Sequence, residues 1–144
     1  PSTRWTCYDA TPAVVNCSTG SPVTAVDNLT GLQWTINANL PPGEKTWSVA
    51  LTYCNELSLG GYSDWRLPNR YELESLLDMS QTSPALPSGN PFTSVQSYYY
   101  WTSTTYAANT YYAWYVGLDY GSVYQGVKTP GSGGFYVWPV RAGQ

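Results

Sequence analysis

Three observations predict an α+β domain. Apolar residues recur at helical spacing from Trp47 to Leu57, and again after a helix-start signature at Asn69. From Tyr98 onward the chain consists of short Tyr- and Trp-rich runs divided by Gly and Pro, the pattern of antiparallel strands. At 144 residues the chain fits one domain. The expectation is two helices in the N-terminal half and a twisted antiparallel sheet in the C-terminal half, with no internal repeat.

In chain order, residues 1–26 read as loop-like, with short β runs such as "AVV" and "PVTAV", and form an N-terminal extension to a main domain at 27–144. Three cysteines are present, and Cys7 and Cys17 enclose "CYDATPAVVNC", in which Asp9, Pro12 and Asn16 can turn the chain. A Cys7–Cys17 disulfide would tie down this end and imply an oxidising compartment. Cys54, on a helix, is left as a buried free thiol. "DNLTGLQWTI" places a turn at Thr30-Gly31 before a strand facing inward through Leu32, Trp34 and Ile36, and "NANLPPGEK" is a loop. Thr46 caps the first helix, whose stripe is Trp47, Ala50, Leu51, Cys54 and Leu57, and Gly60-Gly61 ends it. Pro68, Asn69 and Glu72 make a capping box for the second, which buries Leu73, Leu76 and Leu77. Residues 80–97 form a long loop anchored by Phe92 and Val95. Then "YYYWTSTTY", "YYAWYVGLDY", "GSVYQGVKT" and "FYVWPVR" read as consecutive antiparallel strands.

Composition excludes several classes of function. Charged residues are 10% of the chain and aromatics 16%, against about 25% charged in ordinary soluble domains. Surface polarity must therefore come from hydroxyls and amides, as in secreted and cell-surface proteins. Net charge is −3, with the six Lys and Arg scattered, so no basic footprint for nucleic acid exists. No apolar run approaches the roughly 20 residues of a membrane span. No signal peptide is apparent, and the opening "PSTRW" is compatible with a removed leader, anchor or upstream domain. The sequons at Asn16 and Asn28 matter only in a glycosylating source.

Catalytic signals are scarce. Histidine is absent, which removes the usual general base and the commonest zinc ligand. There is no C-x-x-C pair or phosphate-binding glycine motif, and "GSGG" at 131–134 reads as a flexible turn. Glu72 caps a helix, Glu74 on another side of it is solvated, and Asp64 fixes a turn through backbone amides or Arg66. Asp119 is alone in its neighbourhood. No nucleophile, base and orienter assemble, so no enzyme, cofactor or metal is expected.

The remaining signal is tyrosine. In 109–129, Trp114, Val116 and Leu118 form an inward face. Around them stand Tyr111, Tyr112, Tyr115, Gly117, Asp119, Tyr120, Ser122, Tyr124, Gln125 and Gly126. Tyr, Ser, Gly and Asn dominate antibody binding surfaces because tyrosine offers a rigid face and a hydroxyl at low entropic cost. Composition alone equally allows cross-strand tyrosine pairs that only stabilise a sheet.

"DNLTGLQWT", "TWSVALTYCNELSLGGYSDWRLPNRYELESLLD", "PFTSVQSYYYWTSTTYA" and "YVWPVRAGQ" closely resemble the C-terminal domain of Legionella collagen-like adhesins. The resemblance runs from about Asp27 to Gln144, and the "CYD…VxxC" loop resembles segments that often precede such domains. The family is similar to C-type lectins and to the formylglycine-generating enzyme fold, whose "RLP…E" segment resembles Arg66-Leu67-Pro68 through Glu72. The resemblance implies a C-type-lectin-like fold and an extracellular or cell-surface location, bacterial or phage-encoded. The calcium signatures "EPN", "QPD" and "WND" are absent, and the formylglycine cysteine pair has no counterpart, so binding without metal or catalysis is implied.

Some members of this fold family are variable proteins of diversity-generating retroelements, which randomise adenine-containing codons near the C-terminus. Residues 109–141 resemble such a cassette. Its frame would be Ala113, Trp114, Val116, Leu118, Gly121, Val123, Lys128 and Val137 through Arg141, and its variable positions the ligand-facing residues above. Gln125 is the exception, since adenine changes in an Asn codon do not reach Gln. The expected partner is a protein or glycan on another surface, with oligomerisation possible. The alternatives are a fixed glycan-binding adhesin module and a structural subunit of an extracellular assembly.

Overall fold

Eight strands, two short helices and two separate sheets make up the protein, seen in a computed structural model that describes residues 3–131 and 133–143. The first sheet uses β1 (Trp5–Tyr8), β2 (Val14–Val15), β3 (Thr24–Asp27), β4 (Leu32–Thr35) and β8 (Val140–Ala142) in the order β2-β1-β3-β4-β8, all antiparallel. The second uses β5 (Tyr99–Thr105), β6 (Tyr112–Gly117) and β7 (Val123–Val127) in that order. The fold is α+β with antiparallel sheets, as composition and periodicity predict.

The segment expected to be largely loop supplies three strands of the first sheet, and β3 spans the expected boundary at 26/27. β1 escapes pattern reading because "WTCY" is only four residues long and its pairing with β3 is the reason it is a strand. The Cys7–Cys17 disulfide is present and links β1 to the residues just past β2. Arg4 donates to both carboxylate oxygens of the fully buried Asp27, at 3.0 and 2.6 Å, which locks this end to the turn before β4. Closing so short a loop restricts the unfolded chain by roughly 3 kcal/mol on the chain-entropy model. Reduction of the disulfide is therefore expected to lower the unfolding free energy by an amount of that order, read as a lower denaturation midpoint. A reduced and alkylated sample with an unchanged midpoint would exclude this role.

Helix α1 (Trp47–Glu56) starts at the predicted cap, with Thr46 accepting from the Val49 amide, and buries Ala50 and Cys54 completely. It stops before the predicted end. Leu57 is already extended, its amide bonds back to Cys54, and Gly60 and Gly61 instead turn the chain between Leu59 and Tyr62. Helix α2 (Arg70–Glu74) carries the predicted capping box with Asn69 and Glu72. Leu73 and Leu76 are fully buried, Leu76 lying just beyond the helix. Cys54 is a free buried thiol, pushed up to about 12 by burial.

The two sheets share one core. Trp34 and Val140 of the first sheet meet Tyr100 and Val116 of the second together with Leu73, Leu76 and Trp138. A second cluster joins α1 to the other face of β5–β6 through Ala50, Cys54, Trp101, Ala113 and Val137. Phe92 and Val95 pin the long loop onto the first cluster as predicted.

The last predicted strand is corrected. "FYVWPVR" does not continue the second sheet as one antiparallel strand. Tyr136 bridges Tyr100 in parallel along the outer side of β5, and the chain then crosses to become β8 beside β4. Pro139, which has no amide to give a ladder, lies at the crossing.

Candidate functional site

The sheet that carries most of the predicted positions is covered on both faces, which alternation alone did not reveal. Ala113 packs toward α1, and Val116 on the other face packs into the main core. Trp114, expected as a fully inward residue, is half-buried. The Arg70 guanidinium lies 4.1 Å from its ring, and Tyr106 meets it edge-on. Two extra residues on β5, between Trp101 and Thr105, bend that strand onto α2, where the Ser103 amide donates to Pro68 and the Arg70 amide to Thr104.

Register then decides which predicted residues share a surface. Tyr115 pairs with Tyr124, Ala113 with Gly126, and the Gly117 amide donates to Ser122, so these residues share one face. Trp114 pairs with Gln125 and Tyr112 with Val127, so Tyr112 and Gln125 belong to the opposite face. Tyr111 lies beyond the start of β6 and Tyr120 in the turn past its end, so the two most exposed predicted tyrosines, 77% and 69%, stand at opposite ends of the strand.

On the Tyr115 face the aromatic rings form a continuous ladder. Tyr98 stacks on Tyr99 at 4.3 Å, Tyr99 meets Tyr115 at 4.5 Å, and Tyr115 approaches Tyr124 at 6.5 Å. Phe135 lies beneath, 4.7 Å from Tyr115 and 5.4 Å from Tyr99. Tyr98, Tyr99, Phe135 and Tyr136 were missed by sequence reasoning. The "YYY" run ahead of β5 was the available signal, and nothing local marked Phe135.

Two glycines make room for this arrangement. A β-carbon on Gly117 would lie 2.5 Å from both Asp119 Oδ1 and Ser122 Oγ, so these two oxygens overhang the bare backbone there. One on Gly126 would lie 2.7 Å from the Phe135 ring. Asp119 is not isolated: its Oδ1 accepts from the Tyr120 amide, and its carboxylate stands near the Tyr115 phenol. Burial raises the Tyr115 pKa, and Tyr99, Tyr124, Tyr98 and Asp119 add to the shift, so this hydroxyl stays a neutral donor. The face thus offers phenol hydroxyls and one carboxylate on a rigid aromatic floor.

Cations are directed elsewhere. Arg4 pairs with Asp27, Arg66 with Glu72, Arg70 with Glu74 and Arg141 with Asp64. Lys128 donates to Thr105 Oγ1 and sits 4.0 Å from the Trp47 ring centre. Asp64 was expected to hold backbone amides or Arg66. It holds Arg141 instead, at 2.6 and 3.1 Å, because Arg66 is taken by Glu72 and the Arg66–Val140 bridge brings Arg141 alongside. Arg141 also donates to the buried Gln33.

The Arg66–Glu72 pair is structural, and it predicts an acid response. Burial works to raise the Glu72 pKa, but two Arg66 hydrogen bonds and the Asn69 amide outweigh it and hold the carboxyl below the ordinary glutamate value. A lowered folded pKa stabilises the fold above about pH 4.3, and that stabilisation is lost as pH falls through the folded value. Melting temperature is expected to drop along this acid limb, and more gently in Glu72→Gln. Parallel acid limbs for the two proteins would exclude the pair as a contributor.

Among the described residues no three His, Cys, Asp or Glu side chains gather as a metal site. No helix among them is long and apolar enough to cross a membrane. The Ser132 portion of the predicted "GSGG" turn lies outside the described residues. Gly134 is held tightly there, since a β-carbon on it would strike the Lys45 carbonyl. A groove of about 510 Å³ borders the disulfide loop through Trp5, Val14, Cys17 and Pro91, with no acid, base or free thiol in its lining.

Two antiparallel sheets, two short helices and a packed aromatic face define a small α+β domain. Residues 23–141 match the Lcl C-terminal domain, and the chain belongs to that family, an adhesin-like one. A comparison with curated proteins finds no match.

Proposed function

We propose that this is a surface-displayed, non-catalytic ligand-binding domain of C-type-lectin-like fold, with Tyr98, Tyr115, Tyr120 and Tyr124 around Asp119 and Ser122 as its contact surface. One observation carries the reading: Tyr98 and Tyr124 present exposed rings on a packed aromatic ladder that runs through Tyr99 and Tyr115 against Phe135. Tyr124 is 59% and Tyr98 42% exposed, while the rings beneath them are fixed. Such a surface loses little entropy on binding. With the arginines in ion pairs, it suits a neutral or cationic protein or glycan ligand and disfavours nucleic acid or a polyanionic glycan. The disulfide and the adhesin-like family support an extracellular location. Immobilised glycans and matrix proteins probed with the native domain and with a Tyr98→Ala, Tyr120→Ala, Tyr124→Ala variant test it. Equal binding by both would defeat the proposal.

The finer reading is diversification by a retroelement, supported by the Tyr, Gly, Ser and Asp content of 111–126. A near-repeat of the DNA encoding 109–141, differing only at adenines and beside a reverse-transcriptase gene, is the expected finding. The second reading, a fixed adhesin module, is favoured by the family and by Gly117 and Gly126. Both glycines lie under side chains that most substitutions would displace.

A further inference from the structure

We propose that strand β7 is a self-pairing edge, through which two copies of the chain join antiparallel about Gln125. The edges of the two sheets are not alike. The outer side of β5 is covered, since the Trp101 amide donates to Tyr136 and the Tyr136 amide to Tyr99. The outer side of β8 is covered by two reciprocal bonds between Arg66 and Val140. β2 is only two residues long. β7 pairs with β6 alone, runs five residues as "VYQGV", and contains no Pro, Lys or other charge. Protein edges normally carry one of those guards.

Antiparallel geometry fixes what this edge presents. Alternate residues exchange both backbone bonds with the neighbouring strand, and those between point away. The Gly117–Ser122 and Lys128–Tyr111 bonds mark Ser122, Tyr124, Gly126 and Lys128 as facing β6. Val123, Gln125 and Val127 therefore direct their amides and carbonyls outward, and none of those groups has a hydrogen bond to another part of the described chain. Donors and acceptors at every second residue match another extended polypeptide and not a sugar.

The sequence of the edge selects a second copy as the occupant. With Gln125 opposite itself on a two-fold axis, Val123 stands opposite the second copy's Val127, so apolar faces apolar. Tyr124 stands opposite the second copy's Gly126, whose bare backbone lies under the Phe135 ring, so aromatic faces aromatic across the seam. Odd residues meet odd residues, so the Tyr124 face and the Val123 face each continue in step across the seam. No charge opposes itself, and a two-fold contact of this kind closes without forming fibres. Two three-stranded sheets become one, with both tyrosine faces on the same side.

The test reads mass and needs no ligand, so it stands or falls separately from the tyrosine-face proposal. Sedimentation velocity on the native chain is expected to show a concentration-dependent dimer. Gln125→Lys and Gln125→Glu, both at an exposed position, place like charges opposite each other and are expected to weaken the dimer by an order of magnitude or more, with unchanged circular dichroism and melting temperature. An equimolar mixture of the two variants is expected to recover the dimer. A native chain that stays monomeric at millimolar concentration overturns the proposal. So does a Lys variant that dimerises like the native chain, or a mixture that remains monomeric.

Discussion

Trp138→Ala is expected to cost about 3–5 kcal/mol, a large share of the roughly 5–15 kcal/mol that holds a domain folded. Trp138 is fully buried at the point where the chain passes from the edge of the second sheet into β8. Its ring lies 4.8 Å from Phe92 and 5.7 Å from both Trp34 and Tyr100, so it touches the long loop and both sheets at once. Its indole donates to the Thr35 carbonyl at 3.0 Å. Truncation removes packing and leaves a cavity that several rings would have to collapse into, while that carbonyl loses its donor. Denaturant titration should show the loss directly, and the melting temperature should fall by more than about 10 °C. A loss below about 1 kcal/mol would mean that the sheets are held together elsewhere.

Tyrosines on one face are expected to separate into two kinds. Tyr115→Ala should destabilise the protein by about 2 kcal/mol or more, because its ring is half-buried between Tyr99 and Phe135. Alanine at Tyr120 or Tyr124 should change stability by less than about 0.5 kcal/mol, since both rings are mostly exposed. Loss of ligand binding in Tyr120→Ala, Tyr124→Ala with an unchanged midpoint is the signature of a contact surface. Loss of stability with binding retained is the signature of rings that serve only the sheet. Tyr115→Phe divides the residue itself: it keeps the ring contacts and removes the hydroxyl beside Asp119, so a ligand held by that hydroxyl is weakened in a protein of native stability.

Much of the fold was legible locally. The Thr46 cap, the Asn69–Glu72 box and the Ala50–Cys54 stripe lie within a few residues of the groups they satisfy, and the structure realises each. The Cys7–Cys17 bond closes a loop short enough to be read from spacing. Long-range pairing was not legible. β1 is a strand because β3 lies beside it, and Arg141 reaches Asp64 because β8 crosses between sheets. Neither fact leaves a periodic trace near the residues concerned.

The candidate site divides along the same line. The sequence alone determined that the surface would be rich in tyrosine hydroxyls and poor in charge, and that residues 111–126 would carry much of it. Only the tertiary structure decided which of those residues share a face. Alternation with period two says that neighbours part, but the register between β6 and β7 says who meets whom. That register put Tyr115 with Tyr124 and sent Gln125 to the other side. Phe135 and Tyr98 joined the site from segments distant in sequence, brought in by hydrogen bonds along the edge of β5 and by ring packing over bare glycine backbone. Side-chain chemistry is a property of the chain, whereas a surface is a property of the contacts that bring its parts together.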